Sequence, residues 1–321
     1  MAGFSVQNQV FAICNNVSSG LLDEPVSSLL PTSGLLGLAF ETIASSGATP
    51  FWEALVSGGA WDSPLMAFQL TRYGNVTKAK DSEPGGSFTM GSVNSTLYTG
   101  EIDYNDIPGG KGTYWIQEMT SLTVQGNSIS LTSGSDSYAA IDTGTTLIGG
   151  PPSVVDAIYQ QIPNSRLGTG DYDGYYLYPC STTVAVTVAF GGRNWTISDA
   201  DFRVTSVGGQ MCLGAFFGLE TGTSMPAWIV GDAFLKNVYS VFRYNPPSVG
   251  FAELSAYSLS MNGVINAVVP TPTIGSVAAG VSATSFVNAN SAGRSHSSPG
   301  GHATMIFSMI ATSMVTGLFL L

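Results

Sequence analysis

Ala139-Ala140-Ile141-Asp142-Thr143-Gly144-Thr145-Thr146-Leu147-Ile148 is an apolar run that ends in a carboxylate, passes through hydroxyl residues and a glycine, and resumes as an apolar pair. The run before the acid reads as a strand. An acid set in the middle of such a stretch is costly to bury unless it is hydrogen-bonded. Thr143 and Thr145 bring hydroxyls, and Gly144 lets the backbone come close. A carboxylate held in this way suits acid/base chemistry. Taken alone, the stretch also fits an acidic turn between two strands.

The surrounding composition favours many short strands and tight turns. The 321 residues are 44% hydrophobic and only 10% charged, with 39 glycines and 16 prolines. No long amphipathic helix stands out. The best short-helix candidates are residues 49–55 and 152–161, the second opening with prolines. The net charge of −11 and the absence of a Lys/Arg cluster argue against nucleic-acid binding.

Histidine usage removes whole mechanisms. The only two, His296 and His302, lie in a polar stretch near the C-terminus. A Ser–His or Cys–His nucleophile within the folded domain is therefore excluded, as is a His-ligated zinc. Carboxylate chemistry is what this chain can offer, with no cofactor and no metal.

Apolar-apolar-Asp-Thr-Gly-Thr, as it stands at Ala140 to Thr145, resembles the active-site loop of the pepsin-like aspartic proteases, and further pieces resemble that family in its order. Ser33-Gly34-Leu35-Leu36-Gly37-Leu38-Ala39-Phe40 looks like the first-lobe segment that crosses behind an active-site loop. Pro50 to Leu55 resembles the short helix after it. Pro64 to Leu70 and Gly86 to Gly91 look like strands leading to the inter-lobe sheet, and Gly112 to Ile116 like the entry to the second lobe. Trp228-Ile229-Val230-Gly231-Asp232-Ala233-Phe234 looks like the second-lobe counterpart of the Gly37 segment, and Val249 to Ala252 like the closing strand.

The resemblance implies an all-β, bilobal acid-protease fold with an incomplete first lobe. It implies an aspartic-type endopeptidase acting on peptide or protein substrates as a monomer. Asp142 is then catalytic. Thr143, Gly144, Thr145 and Thr146 support it or touch substrate, with Ile229 and Gly231 packed beneath the loop. Cys180 and Cys212 match the second-lobe disulfide loop, leaving Cys14 over.

In this family two aspartates share one proton, and here only one Asp-Thr-Gly occurs. Asp142 precedes Gly231 by 89 residues, so equal spacing from Gly37 would put the first aspartate about 52 residues before Met1. The chain is therefore expected to be inert alone and to begin partway through a longer one. Residues before about 95 are expected to be poorly packed. The alternative reading is a non-catalytic cell-surface protein of protease fold that binds peptides or mediates adhesion.

The organisation that follows has a partial first lobe and inter-lobe strands over 1–95 and a catalytic lobe over 96–255. A Ser/Ala-rich stalk spans 256–293, and a polar spacer with an apolar tail spans 294–321. Small residues at 290–293, the spacer, and the uncharged run 305–321 have the layout of a GPI-attachment signal, with a tail anchor as the other option. Sequons begin at Asn16, Asn75, Asn94 and Asn194. With the tail they point to a secreted glycoprotein held at a membrane or cell wall. Phe4 to Cys14 alternates like a strand, without a signal-peptide pattern before it.

Overall fold

The computed structural model describes residues 1, 3–13, 35–74, 76–79, 83–110, 112–222, 225–267 and the backbone of 280–282. Cys14, Asn16, Ser33, Gly34, Asn75, most of the stalk, and the spacer and tail lie outside the described residues.

The chain opens with β1 (Ser5–Gln7) and reaches helix α1 (Phe51–Ser57). Strands β2 (Leu65–Leu70), β3 (Gly86–Met90) and β4 (Tyr98–Asp106) follow. Next come β5 (Ile116–Glu118), β6 (Ser121–Val124), β7 (Asn127–Ser128), β8 (Tyr138–Ile141) and β9 (Ile148–Gly150). Helix α2 (Pro152–Gln160) starts on a proline, whose missing N–H costs nothing at a helix start. Beyond it run β10 (Arg166–Leu167), β11 (Tyr175–Pro179), β12 (Val186–Ala189), β13 (Asn194–Ile197), the turn-length α3 (Asp199–Phe202), β14 (Arg203–Gly208) and β15 (Met211–Gly218). The order closes with β16 (Trp228–Val230), the one-turn α4 (Asp232–Leu235), β17 (Val238–Arg243), β18 (Ser248–Leu254), α5 (Ala256–Ser260) and β19 (Gly280–Ser282).

An antiparallel five-stranded sheet runs β3-β2-β17-β18-β4, so it draws on both sides of residue 95. A second sheet runs β10-β11-β15-β9-β16-β8-β5, with β14 also paired to β15. A four-stranded sheet runs β13-β12-β6-β7. The inward faces of all three close one apolar core in which Trp228, Phe216, Phe234, Phe251 and Tyr159 are almost wholly buried. Cys180 and Cys212 form a disulfide across β11 and β15, with Cα atoms 5.0 Å apart.

Two expectations change. The alternation from Phe4 to Cys14 yields a strand of only three residues, because Asn8 takes a left-handed φ of 59° that ends the extended run. The region before residue 95 is also well packed from Phe40 onward: Trp52, Leu55, Met66 and Phe68 are buried. Aromatic stacking explains this. Phe40, Trp52 and Trp115 lie with ring centroids 4.5–5.6 Å apart, and the two indole N–H groups donate to the carbonyls of Ala39 and Leu38.

Candidate active site

β8 delivers Asp142, and β9 takes the chain away from the loop it heads. β16 lies between these two strands, parallel to β8 (Ile229 opposite Ala140) and antiparallel to β9 (Ile229 opposite Gly149). Both stems of the loop are thus bonded to one strand. Asp142 N–H donates to the Val230 carbonyl at 3.0 Å. At the end of β16 three consecutive N–H groups turn upward: Gly231 donates to Leu147 O, Asp232 to Thr145 O and Ala233 to Thr146 O, at 2.8–3.0 Å.

That ladder requires a glycine at 231. A Cβ there would stand 2.0 Å from the Thr145 carbonyl oxygen and 2.6 Å from that of Leu147. Gly37, the counterpart expected in the first lobe, is different: a Cβ would meet no described atom within 4 Å. The same closeness recurs under β9, where a Cβ on Gly150 would come within 2.2 Å of the Trp228 ring.

The carboxylate of Asp142 is only partly buried, and both oxygens accept hydrogen bonds. Oδ1 takes the N–H of Gly144 at 2.9 Å, and Oδ2 takes the hydroxyl of Thr145 at 2.6 Å. The second contact lies at the short end of the O–H···O range. Of the residues singled out with Asp142, Gly144 and Thr145 touch the carboxylate directly. Thr146 takes part through its carbonyl, Gly231 lies beneath the loop, and Ile229 sits in the strand between the stems. Thr143 is partly exposed on the turn.

One acid was given no role by the sequence reading. Asp232 opens α4 directly below the loop and is 1% exposed, with Oδ1 lacking a hydrogen-bond partner. Burial pushes its carboxyl up to about 7. Lys236 opposes the shift, and the negative charges of Asp142 and Asp201 add to it. The signal was present in the sequence, since Asp232 follows an apolar pair and a glycine much as Asp142 follows an apolar pair. Among the described residues no hydrogen bond joins the two carboxyls; Asp232 reaches the Asp142 loop through its backbone N–H on Thr145. Asp142 therefore faces outward as a hydrogen-bonded acceptor, and Asp232 lies behind it.

Among the described residues no cluster of three or more His, Cys, Asp or Glu side chains is placed to hold a metal ion. None of the described helices is long and apolar enough to cross a membrane. Asn94 is exposed at the head of a turn in which Thr96 donates both its N–H and its hydroxyl to Asn94 Oδ1, and Asn194 is exposed at the start of β13.

Comparison with known proteins agrees with this geometry. The family model for eukaryotic aspartyl proteases matches residues 1–254. Major aspartyl peptidase 1 of Cryptococcus neoformans var. grubii is 44% identical over 263 residues, covering 79% of this chain and 53% of that protein. An aspartic protease of Phaffia rhodozyma is 32% identical (78% of this chain, 57% of that protein), and human cathepsin D 30% (68% and 52%). The chain thus spans little more than half the length of these relatives. With an all-β architecture of the pepsin-like kind, an Asp-Thr-Gly loop pinned over a Gly-bearing strand, and a match through residue 254, the chain belongs to the eukaryotic aspartyl protease family.

Proposed function

We propose that this chain carries one half of an aspartic endopeptidase centre, with Asp142 as one of its two catalytic acids. The observation that carries the reading is the double hydrogen bonding of Asp142 on a loop locked to β16. Two carboxyls a few ångströms apart cannot both ionise cheaply, so one keeps a proton. The protonated acid polarises the scissile carbonyl, while its ionised partner takes a proton from the attacking water. No covalent intermediate forms. Gly144 N–H and the Thr145 hydroxyl hold Asp142 in place for this. Thr143 and Thr146 flank the extended substrate, with Ile229 and Gly231 supporting from below.

The partner acid is not Asp232, whose side chain is buried behind the loop. The opposite half of the centre belongs above Gly37, where the described structure leaves open space. The 321-residue chain, monomeric and with a single Asp-Thr-Gly, is inert by itself on this reading. Its uncharged Ser/Ala-rich tract, sequons at Asn16, Asn75, Asn94 and Asn194, and GPI-like tail support a location of the full protein outside the cell, at a membrane or wall. A second reading, a non-catalytic surface protein that binds peptides, is favoured by that single Asp-Thr-Gly loop.

A chimera separates the two. This chain would be joined, at its N-terminus, to the portion of the Cryptococcus neoformans relative left unmatched by the 53% of that protein it covers. The chimera should cleave an apolar peptide at acid pH, be blocked by a statine-type inhibitor, and lose activity on the order of 10²–10⁴-fold in Asp142→Ala. A folded chimera that binds the peptide without cutting it would leave the peptide-binding reading. Asp142-dependent cleavage by the unmodified chain would remove the claim that it is inert.

A further inference from the structure

β1 is a three-residue strand on the surface of the first-lobe segment. Phe4 sets its ring edge-on to Trp61 at 6.4 Å, Val6 packs on the core, and Gln9 Nε2 donates to the Thr49 carbonyl, so the segment is seated against the first-lobe remnant. Its only described strand partner is β19, 26 residues beyond the last strand of the catalytic lobe. The pairing is parallel and in register, with Ser5 opposite Gly280, Val6 opposite Val281 and Gln7 opposite Ser282. β19 also lies beside α1.

Unpaired edges recruit extended peptide, and backbone hydrogen bonds supply most of the recognition when a strand is added. Residues 255–293 carry no charge, and Val281, at the centre of the pairing, is β-branched, which suits an extended strand. A covalent tether raises the local concentration of such a segment into the millimolar range. A three-residue parallel pair is marginal without that help.

We infer that the β1 edge is a strand-acceptor site and that residues 280–282 occupy it in cis. The post-lobe tract is thereby held against the first-lobe segment at residues 280–282. The site takes a short, uncharged, extended peptide of small and β-branched residues. This inference is independent of any reaction at Asp142.

Hydrogen exchange on the full chain tests it. Val281→Pro removes a backbone N–H and should speed exchange of the amides in a fragment covering residues 4–8 by about tenfold or more, whereas Asn288→Pro should leave it unchanged. Equal exchange in both variants would overturn the pairing. As a second readout, Val6→Cys with Val281→Cys in a Cys14→Ser background should form an intramolecular disulfide at all protein concentrations. No cross-link, or one that appears only between chains as concentration rises, would overturn occupation in cis.

Discussion

The α-carbon of Gly231 lies so close beneath the Thr145 carbonyl that a methyl group there would overlap it, at 2.0 Å. Gly231 has φ −104° and ψ −156°, so backbone strain plays no part and the requirement is purely one of space. Gly231→Ala must push the Asp142 loop off β16, breaking some of the three N–H bonds that pin it. We expect a loss of about 2–4 kcal/mol in denaturant unfolding. Gly37→Ala, with open space around it, should cost under about 1 kcal/mol.

Thr145 holds the carboxylate itself. Thr145→Val keeps the shape but removes the donor to Asp142 Oδ2, and should destabilise by about 1 kcal/mol more than Thr145→Ser, which retains the hydroxyl. Urea titrations of the two variants, compared at equal m-value, read the difference.

Asp232 makes stability depend on pH in an uncommon direction for an acid. Its carboxyl is held up to about 7 in the folded chain against 3.8 for the free side chain, so the folded state binds the proton more tightly. The contribution is fully present below about pH 3.8 and is lost as pH rises toward about 7. It is on the order of a few kcal/mol. Asp232→Asn should flatten that part of the stability profile between pH 4 and 8. A wild-type profile that keeps the same slope as the variant across this window would remove Asp232 as the source.

Arg72 ties the end of β2 to α3 and to the residues that follow α4. Its Nε meets Asp201 Oδ2 at 2.6 Å, and Nη2 donates to Lys236 O and Asn237 Oδ1, with the Asp201 side chain 5% exposed. Arg72→Ala leaves that acid buried without its cation and should cost about 2–4 kcal/mol by thermal or urea unfolding. The exposed Arg193–Glu253 pair should cost less than about 1 kcal/mol when broken by Arg193→Ala.

The Cys180–Cys212 bridge closes a 32-residue separation. Replacing both cysteines with alanine should lower stability by about 2–4 kcal/mol, with the deficit visible as a lower urea midpoint.

What was legible in the sequence was whatever local chemistry specifies. Asp142, Gly144 and Thr145 announced their contact because a carboxylate withdrawn even partly from water needs donors within a few residues, and those residues touch it. Helices at 51–57 and 152–160 fell close to where Pro50 and the Pro151-Pro152 pair had marked them. The role of Asp232 was harder, since a fully buried acid without a partner for one oxygen breaks the pattern that sequence reading relies on. The early end of β1 hinged on one left-handed residue, Asn8, that alternation does not reveal. Pairing of β1 with β19 lies across 275 residues and leaves no periodic trace.

The five-stranded sheet also sets the order in which a growing chain can finish itself. β2 and β4 leave the ribosome before β17 and β18, yet they never touch as neighbours, because the β17–β18 hairpin inserts between them. Until Leu254 has emerged, the apolar faces around Met66 and Phe68 have no lasting cover, and the contacts that close them span more than 170 residues, Ser240 pairing with Phe68. Such distant closure is slow. Until then those faces are open to aggregation, and the Asp142 loop, which is pinned to β16, takes its final form in the same interval.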